Sequence, residues 1–429
     1  VEDNSSKSHI FSNFKSTKND IHSLQLQAVN GDKYLKSEKI KSPLILDSST
    51  LNTYYSFERN KNNEIFKIEF EIFEDTAKQK SDRYEYIYPN FTFEKQFNLE
   101  NLNTLKLNSH GFQKKFNTNV YEGIFVNDLE YSSNDSIFYN GLSGRYKTLL
   151  RNVNTDSKNS SIYKAETSTK LFGLFVYDLK LPLIKEDKEY KNLLTPILSA
   201  RYSPTETVNI KNDSERIDYQ SIYSVDRLGH SEIVEGGQSL TLGIEYQKQN
   251  KSQNLNILEF EIAQIIRDKK NLDLPSINGL NQTRSDIIGN IEINPSKFFD
   301  IGYEFSIDNN LETTNFNLLK TSLKTNNFVT SFEFLEENNE IGNNSYLSNK
   351  TTFNFNENNN LTFKTSENLD KNITEYYNLI YEYKNDCLAA AIEYDKQYYS
   401  DESLKPEENI LFSIKIIPFG NIKTPSITK

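Results

Sequence analysis

The chain has 429 residues, a net charge of −11, no Met, no Trp and one Cys. Its 26 Tyr and 28 Phe argue against disorder, because disordered chains are poor in aromatic residues. The acidic balance leaves no basic footprint for nucleic acid, one Cys makes no disulfide scaffold, and His9, His22, His110 and His230 lack metal-ligand spacing.

No run of 18 apolar residues is present, so no transmembrane helix is predicted. The chain starts at Val1 without an initiator Met or a signal peptide and reads as a fragment or processed form. The organising signal is period-2 alternation. In Glu64–Phe73, the residues Phe66, Ile68, Phe70 and Ile72 alternate with Lys67, Glu69 and Glu71. Leu258, Phe260 and Ile262 alternate with Glu259 and Glu261. In Phe299–Asp308, Phe299, Ile301, Tyr303, Phe305 and Ile307 alternate with Asp300, Gly302, Glu304, Ser306 and Asp308. Phe328, Phe332 and Phe334 share a face opposite Ser331 and Glu333. Leu388, Ala390, Ile392 and Tyr394 alternate with Glu393 and Asp395. Last come Ile410, Phe412, Ile414 and Ile416 against Ser413 and Lys415. Polar clusters such as Glu336–Asn344 and Asn356–Asn360 supply the turns between. The pattern predicts about 20 strands of about 8–12 residues in an all-β, antiparallel fold. Ile257–Asp268 is the best helical candidate, yet it reads more cleanly at period 2.

Three architectures share this alternation: a sandwich, a soluble repeat array, and a closed membrane barrel with lipid outside and water inside. The strands outnumber the 7–9 of one sandwich domain. No fixed internal period supports a repeat array. Charges on the polar face suit a wet lumen, and Tyr84, Tyr86, Tyr88, Tyr376, Tyr377, Tyr381, Tyr383, Tyr398 and Tyr399 suit an interfacial girdle. These features favour a large outer-membrane β-barrel. Pairs such as Glu69/Glu71 and Glu259/Glu261 read as lumen lining rather than as glycosidase carboxylates, because i, i+2 residues share a strand face. Asn281-Gln282-Thr283 matches the glycosylation triplet, a chance event in so Asn-rich a chain. No nucleophile–base constellation, metal site or cofactor motif is found, so an enzyme is not predicted.

Two blocks go beyond pattern. The first, Leu181–Tyr246, holds Leu181-Pro182-Leu183, Arg201-Tyr202-Ser203-Pro204, Asp226-Arg227 and Val234-Glu235-Gly236-Gly237, then Leu240-Thr241-Leu242-Gly243. The second holds Asn385-Asp386-Cys387, then Tyr398-Tyr399 and a final strand ending Ile417-Pro418-Phe419-Gly420. Together these resemble the LptD (organic solvent tolerance) family of lipopolysaccharide-assembly proteins. Asp226, Arg227, Glu235, Gly236 and Gly237 look like its mid-barrel signature, and weaker similarity extends through Ser81–Pro89 and Leu107–Asn127.

The resemblance implies an outer-membrane translocon that inserts lipopolysaccharide through a polar lumen and a lateral gate between first and last strands. It implies an LptE-type lipoprotein plug, an LptA-type periplasmic bridge, and the barrel-assembly machinery during folding. On this reading residues 1–420 are barrel, residues 421–429 are a polar tail, and the periplasmic jelly-roll and first strands lie upstream. The last strand is expected at Asn409–Phe419, with Ile410, Phe412, Ile414 and Ile416 toward lipid, Asn409, Leu411, Ser413 and Lys415 toward the lumen, and Pro418 trimming the ladder. Cys387 stands where the family carries a Cys pair and is expected to bond to the N-terminal segment in an oxidising periplasm. Alternatives are a porin-type diffusion channel and a surface β-protein outside the membrane.

Overall fold

The computed structural model describes residues 7–18, 20–31, 33–37, 49–212, 216–338, 344–398, 407–416, 420–423 and 427–428, with 40, 42, 44 and 45. The first strands are β1 (Ser8–Ser16), β2 (Ile21–Asn30), β3 (Thr50–Lys61), β4 (Glu64–Asp75), β5 (Tyr84–Asn98), β6 (Thr104–Phe116) and β7 (Val120–Ser132). Then follow β8 (Ser136–Ile137), β9 (Ser143–Lys158), β10 (Ser168–Lys180), β11 (Leu183–Glu186), β12 (Tyr190–Ser203), β13 (Gly237–Asn250) and β14 (Leu255–Arg267). Next are β15 (Ile287–Ser296), β16 (Phe299–Ile307), β17 (Thr314–Lys324), β18 (Phe328–Glu337) and β19 (Asn344–Asn356). The last are β20 (Asn359–Asn368), β21 (Ile373–Lys384), β22 (Leu388–Gln397), β23 (Glu407–Ile416), β24 (Gly420–Lys423) and β25 (Ile427–Thr428). Leaving aside the short β8, β11, β24 and β25, each strand pairs antiparallel with the next in one sheet.

Registers confirm the alternation. Tyr55 and Phe57 of β3 stand opposite Phe70 and Ile68 of β4, on the outer face. Asp395 of β22 stands opposite Asn409 of β23, on the inner face. The connections alternate in length. At one rim lie tight turns such as Asn62–Asn63, with φ of 53° and 60°, a left-handed pair that Asn tolerates and a hairpin requires. At the other rim lie the long segments Ser203 to Gly237 and Arg267 to Ile287. Short turns on one side and long loops on the other are the asymmetry of outer-membrane barrels, whose short turns face the periplasm.

The C-terminal end departs from the expected polar tail. The strand expected at Asn409–Phe419 runs Glu407–Ile416, and Gly420–Lys423 and Ile427–Thr428 fold back to pair with its far edge. An open edge offers a row of unpaired N–H and C=O groups, and the tail supplies their partners. Pro418 lies outside the described residues. Among the described residues, no pairing joins β1 to β23, β24 or β25.

A uniformly wet lumen is also not what is found. The inner faces of β7, β9, β10 and the upper part of β14 are buried, apolar residues such as Val126, Leu149, Leu174 and Ile265 alternating with a few buried charges. The two long segments cover them from inside the barrel.

Candidate functional site

The segment that leaves β12 at the long-loop rim folds against the inner wall. Its Ile217, Tyr219, Ile222 and Leu228 pack on Ala263 and Ile265 of β14 and Ile288 of β15, joined by Leu274 and Leu280 of the second segment. Farther round, Val208, Val225 and Val234 cover Val126 of β7, Leu149 and Val153 of β9, and Leu174 and Val176 of β10. Burial of this apolar surface holds the segment in the lumen, at about 25 cal/mol per Å².

Inside this apolar contact sits an ionic cluster. Buried charges must be paired, and here each is. The Arg227 guanidinium forks onto Glu235, with Nε donating to Oε2 at 2.6 Å and Nη2 to Oε1 at 2.5 Å. Arg267 of β14 donates from Nη1 to the same Oε1. Arg201 of β12 places its Nε 3.9 Å from Oε2. Arg227 also donates to Ser239 Oγ at 2.9 Å and Thr241 Oγ1 at 3.3 Å on β13. Three cations therefore surround one carboxylate. Burial works to raise the Glu235 pKa, but Arg227, Arg267 and Arg201 outweigh it and hold the carboxyl well below its ordinary value.

A second cluster ties the segment to β7 and β9. Arg151 of β9 forks onto Asp128 of β7, both bonds at 2.8 Å. Its Nη1 donates to the carbonyls of His230 at 2.7 Å and Ile233 at 2.8 Å, and both Nη atoms reach Asp226 at 3.3 Å. Burial raises the Asp226 pKa against the pull of Arg151.

Two glycines make the close approach possible. A Cβ on Gly236 would overlap the Thr205 carbonyl, while the Gly236 N–H donates to Thr207 Oγ1 at 2.9 Å. Gly243 of β13 leaves the notch that the Tyr223 hydroxyl fills. The second segment is anchored by Asn278, fully buried, whose Oδ1 accepts the Ile217 N–H at 3.0 Å and whose Nδ2 donates to Ser306 Oγ of β16 at 3.0 Å. Asn271 Nδ2 donates to Thr207 Oγ1 at 2.8 Å, linking the two segments. Together they form a latched plug over one side of the lumen. Among the described residues, no group of His, Cys, Asp and Glu is spaced to hold a metal.

Of the residues singled out from sequence, Asp226, Arg227, Glu235, Gly236 and Gly237 come together in the latch, with Gly237 at φ +89° where β13 begins. Their partners Arg151 and Arg267 were missed. The signal was available: each is a charge flanked by apolar residues on one strand face, Arg151 between Leu149 and Val153, Arg267 after Ile265. Cys387 is exposed in the turn between β21 and β22 at the short-turn rim, far in the chain from the latch. In β23, Ile410, Phe412 and Ile416 are exposed and Asn409 is buried, and Leu411, Ser413, Ile414 and Lys415 complete the strand. Of the tyrosines, Tyr84, Tyr86, Tyr376, Tyr377 and Tyr398 sit at the long-loop rim and Tyr381 and Tyr383 at the short-turn rim, while Tyr399 lies outside the described residues.

Compared with known families, residues 12–349 match the model described as LptD, LPS transport system D. That range contains the whole latch and ends before Cys387 and β23. No curated protein matches the chain. Among solved structures, the siderophore receptor PirA of Acinetobacter baumannii aligns with TM-score 0.42 and 8% identity over 86% of this chain and 72% of its own. The ferric-catecholate receptor Fiu of E. coli K12 gives 0.40 and 9% over 86% and 72%. A Rh. blastica porin mutant gives 0.26 and 7% over 75% and 100%.

Proposed function

This chain belongs to the LptD family, a lipopolysaccharide-transport barrel of the outer membrane, and we propose that it delivers lipopolysaccharide to the outer leaflet through a lateral gate beside β23. The cargo has an acyl part and a sugar part, which no single solvent suits. A wet lumen passes the sugar while an opening in the wall lets the acyl chains leave sideways.

The observation that supports this reading is the interrupted sheet. Every other neighbouring pair of long strands is laddered, whereas β1 and the β23–β25 edge share no pairing among the described residues. The strands flanking that interruption carry a polar inner face, with Glu393, Asp395 and Asn409 on one side and Asn13, Lys15 and Gln25 on the other. The plug covers the opposite wall. The sugar path would therefore run beside the gate, with Asn409, Leu411, Ser413 and Lys415 lining it and Ile410, Phe412, Ile414 and Ile416 meeting acyl chains.

An LptE-type lipoprotein would sit in the unplugged half, an LptA-type bridge would feed the short-turn rim, and the barrel-assembly machinery would read the final strands. Cys387 is exposed at that same rim, as pairing with a periplasmic segment needs. A reductant-dependent shift of the full-length protein on non-reducing electrophoresis would support that bond; unchanged mobility would exclude it.

Photocrosslinking tests the gate. A photoreactive residue at Phe412 should capture lipopolysaccharide in cells, and one at Phe260 on the opposite outer wall should not. Equal capture at both would sink the proposal.

A further inference from the structure

The outer face of β10 to β14 carries a feature that transport through the lumen does not use. β10 pairs with β12 only from Phe175 to Lys180, where the chain reaches Pro182, and β11 resumes the pairing at Leu183. Pro182 and Pro196 face this gap and neither donates an N–H, so the ladder thins to one bond, Leu181 N–H to the Pro196 carbonyl at 3.1 Å. Over the gap lies an apolar groove of about 580 Å³, lined by Leu179, Leu181, Pro196, Leu198, Leu242 and Ile244. That is within the range of small-molecule clefts, about 300–1,000 Å³.

The registers order this face by polarity. Leu198 stands opposite Leu242, and Pro196 opposite Ile244. Two residues nearer the short-turn rim, Leu183, Leu194 and Tyr246 form the next row. At the rim itself Lys185, Asn192 and Lys248 form one row across three strands. Four residues of strand, about 13 Å, separate the lysine row from Pro196. Lys248 rests its Nζ 4.4 Å from the Tyr190 ring, as a side chain at a membrane interface does.

Charge completes the pattern. The neighbouring Lys191 and Lys251 are matched by Glu186, at 4.0 and 2.8 Å. Among the described residues, no carboxylate comes within ion-pair distance of Lys185 or Lys248. Two cations outside ion-pair distance of any described carboxylate thus sit at the periplasmic interface, Lys248 with Asp187 in its electrostatic reach, and the apolar groove opens about 13 Å farther into the hydrocarbon. An anionic headgroup with a tail fits that order; a peptide or a free anion leaves the groove unfilled.

We propose that this face binds one anionic glycerophospholipid of the inner leaflet, its phosphate between Lys185 and Lys248 and one acyl chain in the groove over Leu181 and Pro196. The lipid seals a wall whose ladder is interrupted.

Native mass spectrometry of the full chain in detergent tests this, with phosphatidylglycerol, phosphatidylcholine and lipopolysaccharide as probes. A surface lysine attracts an anionic lipid by about fivefold, so two should favour phosphatidylglycerol over phosphatidylcholine by roughly 25-fold. Lys185→Gln with Lys248→Gln should abolish that preference. Ile244→Trp should fill the groove and weaken both phospholipids while leaving the lysines in place. Heat-modifiable migration on gels verifies that each variant is folded. Equal binding of the two phospholipids by the unaltered chain would overturn the proposal. So would undiminished phosphatidylglycerol binding by either variant, or its displacement by lipopolysaccharide at lower concentration.

Discussion

The wall from β7 to β14 and the wall from β17 to β23 are built from the same strand geometry but meet different solvents. Both present aromatic and aliphatic side chains outward, such as Phe125 and Phe175 in the first, Phe332 and Phe363 in the second. Inward they diverge. Val126, Phe172, Leu174 and Val176 are buried under the plug. Glu333, Lys350, Lys364, Asn378 and Glu393 line the unplugged side. One wall is a core with a lipid back; the other is an interface between lipid and water.

The comparison breaks most sharply at the latch. Replacing Glu235 by Gln leaves Arg227, Arg267 and Arg201 buried around a neutral group, and breaking a buried ion cluster costs about 3–5 kcal/mol. Glu235→Gln should lower the thermal midpoint in detergent and raise bilayer conductance, because the plug loses its anchor. Glu393→Gln in the other wall should move stability by no more than about 0.5 kcal/mol. The same latch sets a pH dependence. The Glu235 pKa lies below its unfolded value of about 4.3, so its stabilisation is fully present above that pH. It is lost as pH falls through the lower folded value. Conductance should therefore hold steady from pH 7 to 5 and rise only under stronger acid. Asp226, raised by burial, contributes with the opposite sign, since its charged form is the disfavoured one in the fold. A conductance already rising at pH 6 would mean that Glu235 does not hold the plug.

This division also explains what the sequence disclosed. Alternation was plain in β4, β18, β22 and β23, where one face meets lipid and the other water. It failed where both faces are apolar. In β14, Glu259 and Glu261 alternate with Leu258 and Phe260, but beyond them Ala263 and Ile265 turn inward onto the plug beside the outward Ile262 and Ile266. That two-sided run is why Ile257–Asp268 resembled a helix. The signature residues were visible as a motif, yet their role was not, because the three arginines that answer Glu235 and Asp226 from β9, β12 and β14 lie 32 to 75 positions away in the chain. Period gives the face of a residue; it does not say what covers that face.

A smaller effect sharpens the plugged side. Gly243→Ala places a methyl group where the Tyr223 hydroxyl sits. The plug must shift, at a cost of about 1–3 kcal/mol for an overpacked contact. Thermal unfolding should recover when Tyr223→Leu is added, since the methyl then has space. Gly302→Ala, where a Cβ meets nothing within 4 Å, should leave the midpoint within about 0.5 kcal/mol. If the two alanines cost the same, the close packing of the plug is not what distinguishes the walls.

The smallest expected effect belongs to the unplugged wall. Lys350 and Lys364 stand directly opposite across β19 and β20, both on the inner face. Like charges opposite one another in an antiparallel pair repel, a cost that water in the lumen reduces. Lys364→Gln removes the repulsion, so stability should be unchanged or slightly higher, within about 0.5 kcal/mol. The lumen field should still respond, because one positive charge has left an otherwise open path. Reversal potentials in a salt gradient should move toward cation preference, and the shift should shrink as ionic strength rises. The same substitution principle applied to Arg151, buried between Asp128 and Asp226, should instead destabilise the chain before any change in selectivity is read. A lysine that can be neutralised without harm and an arginine that cannot, on one barrel's inner surface, separate a wall that lines open lumen from a wall that holds the plug.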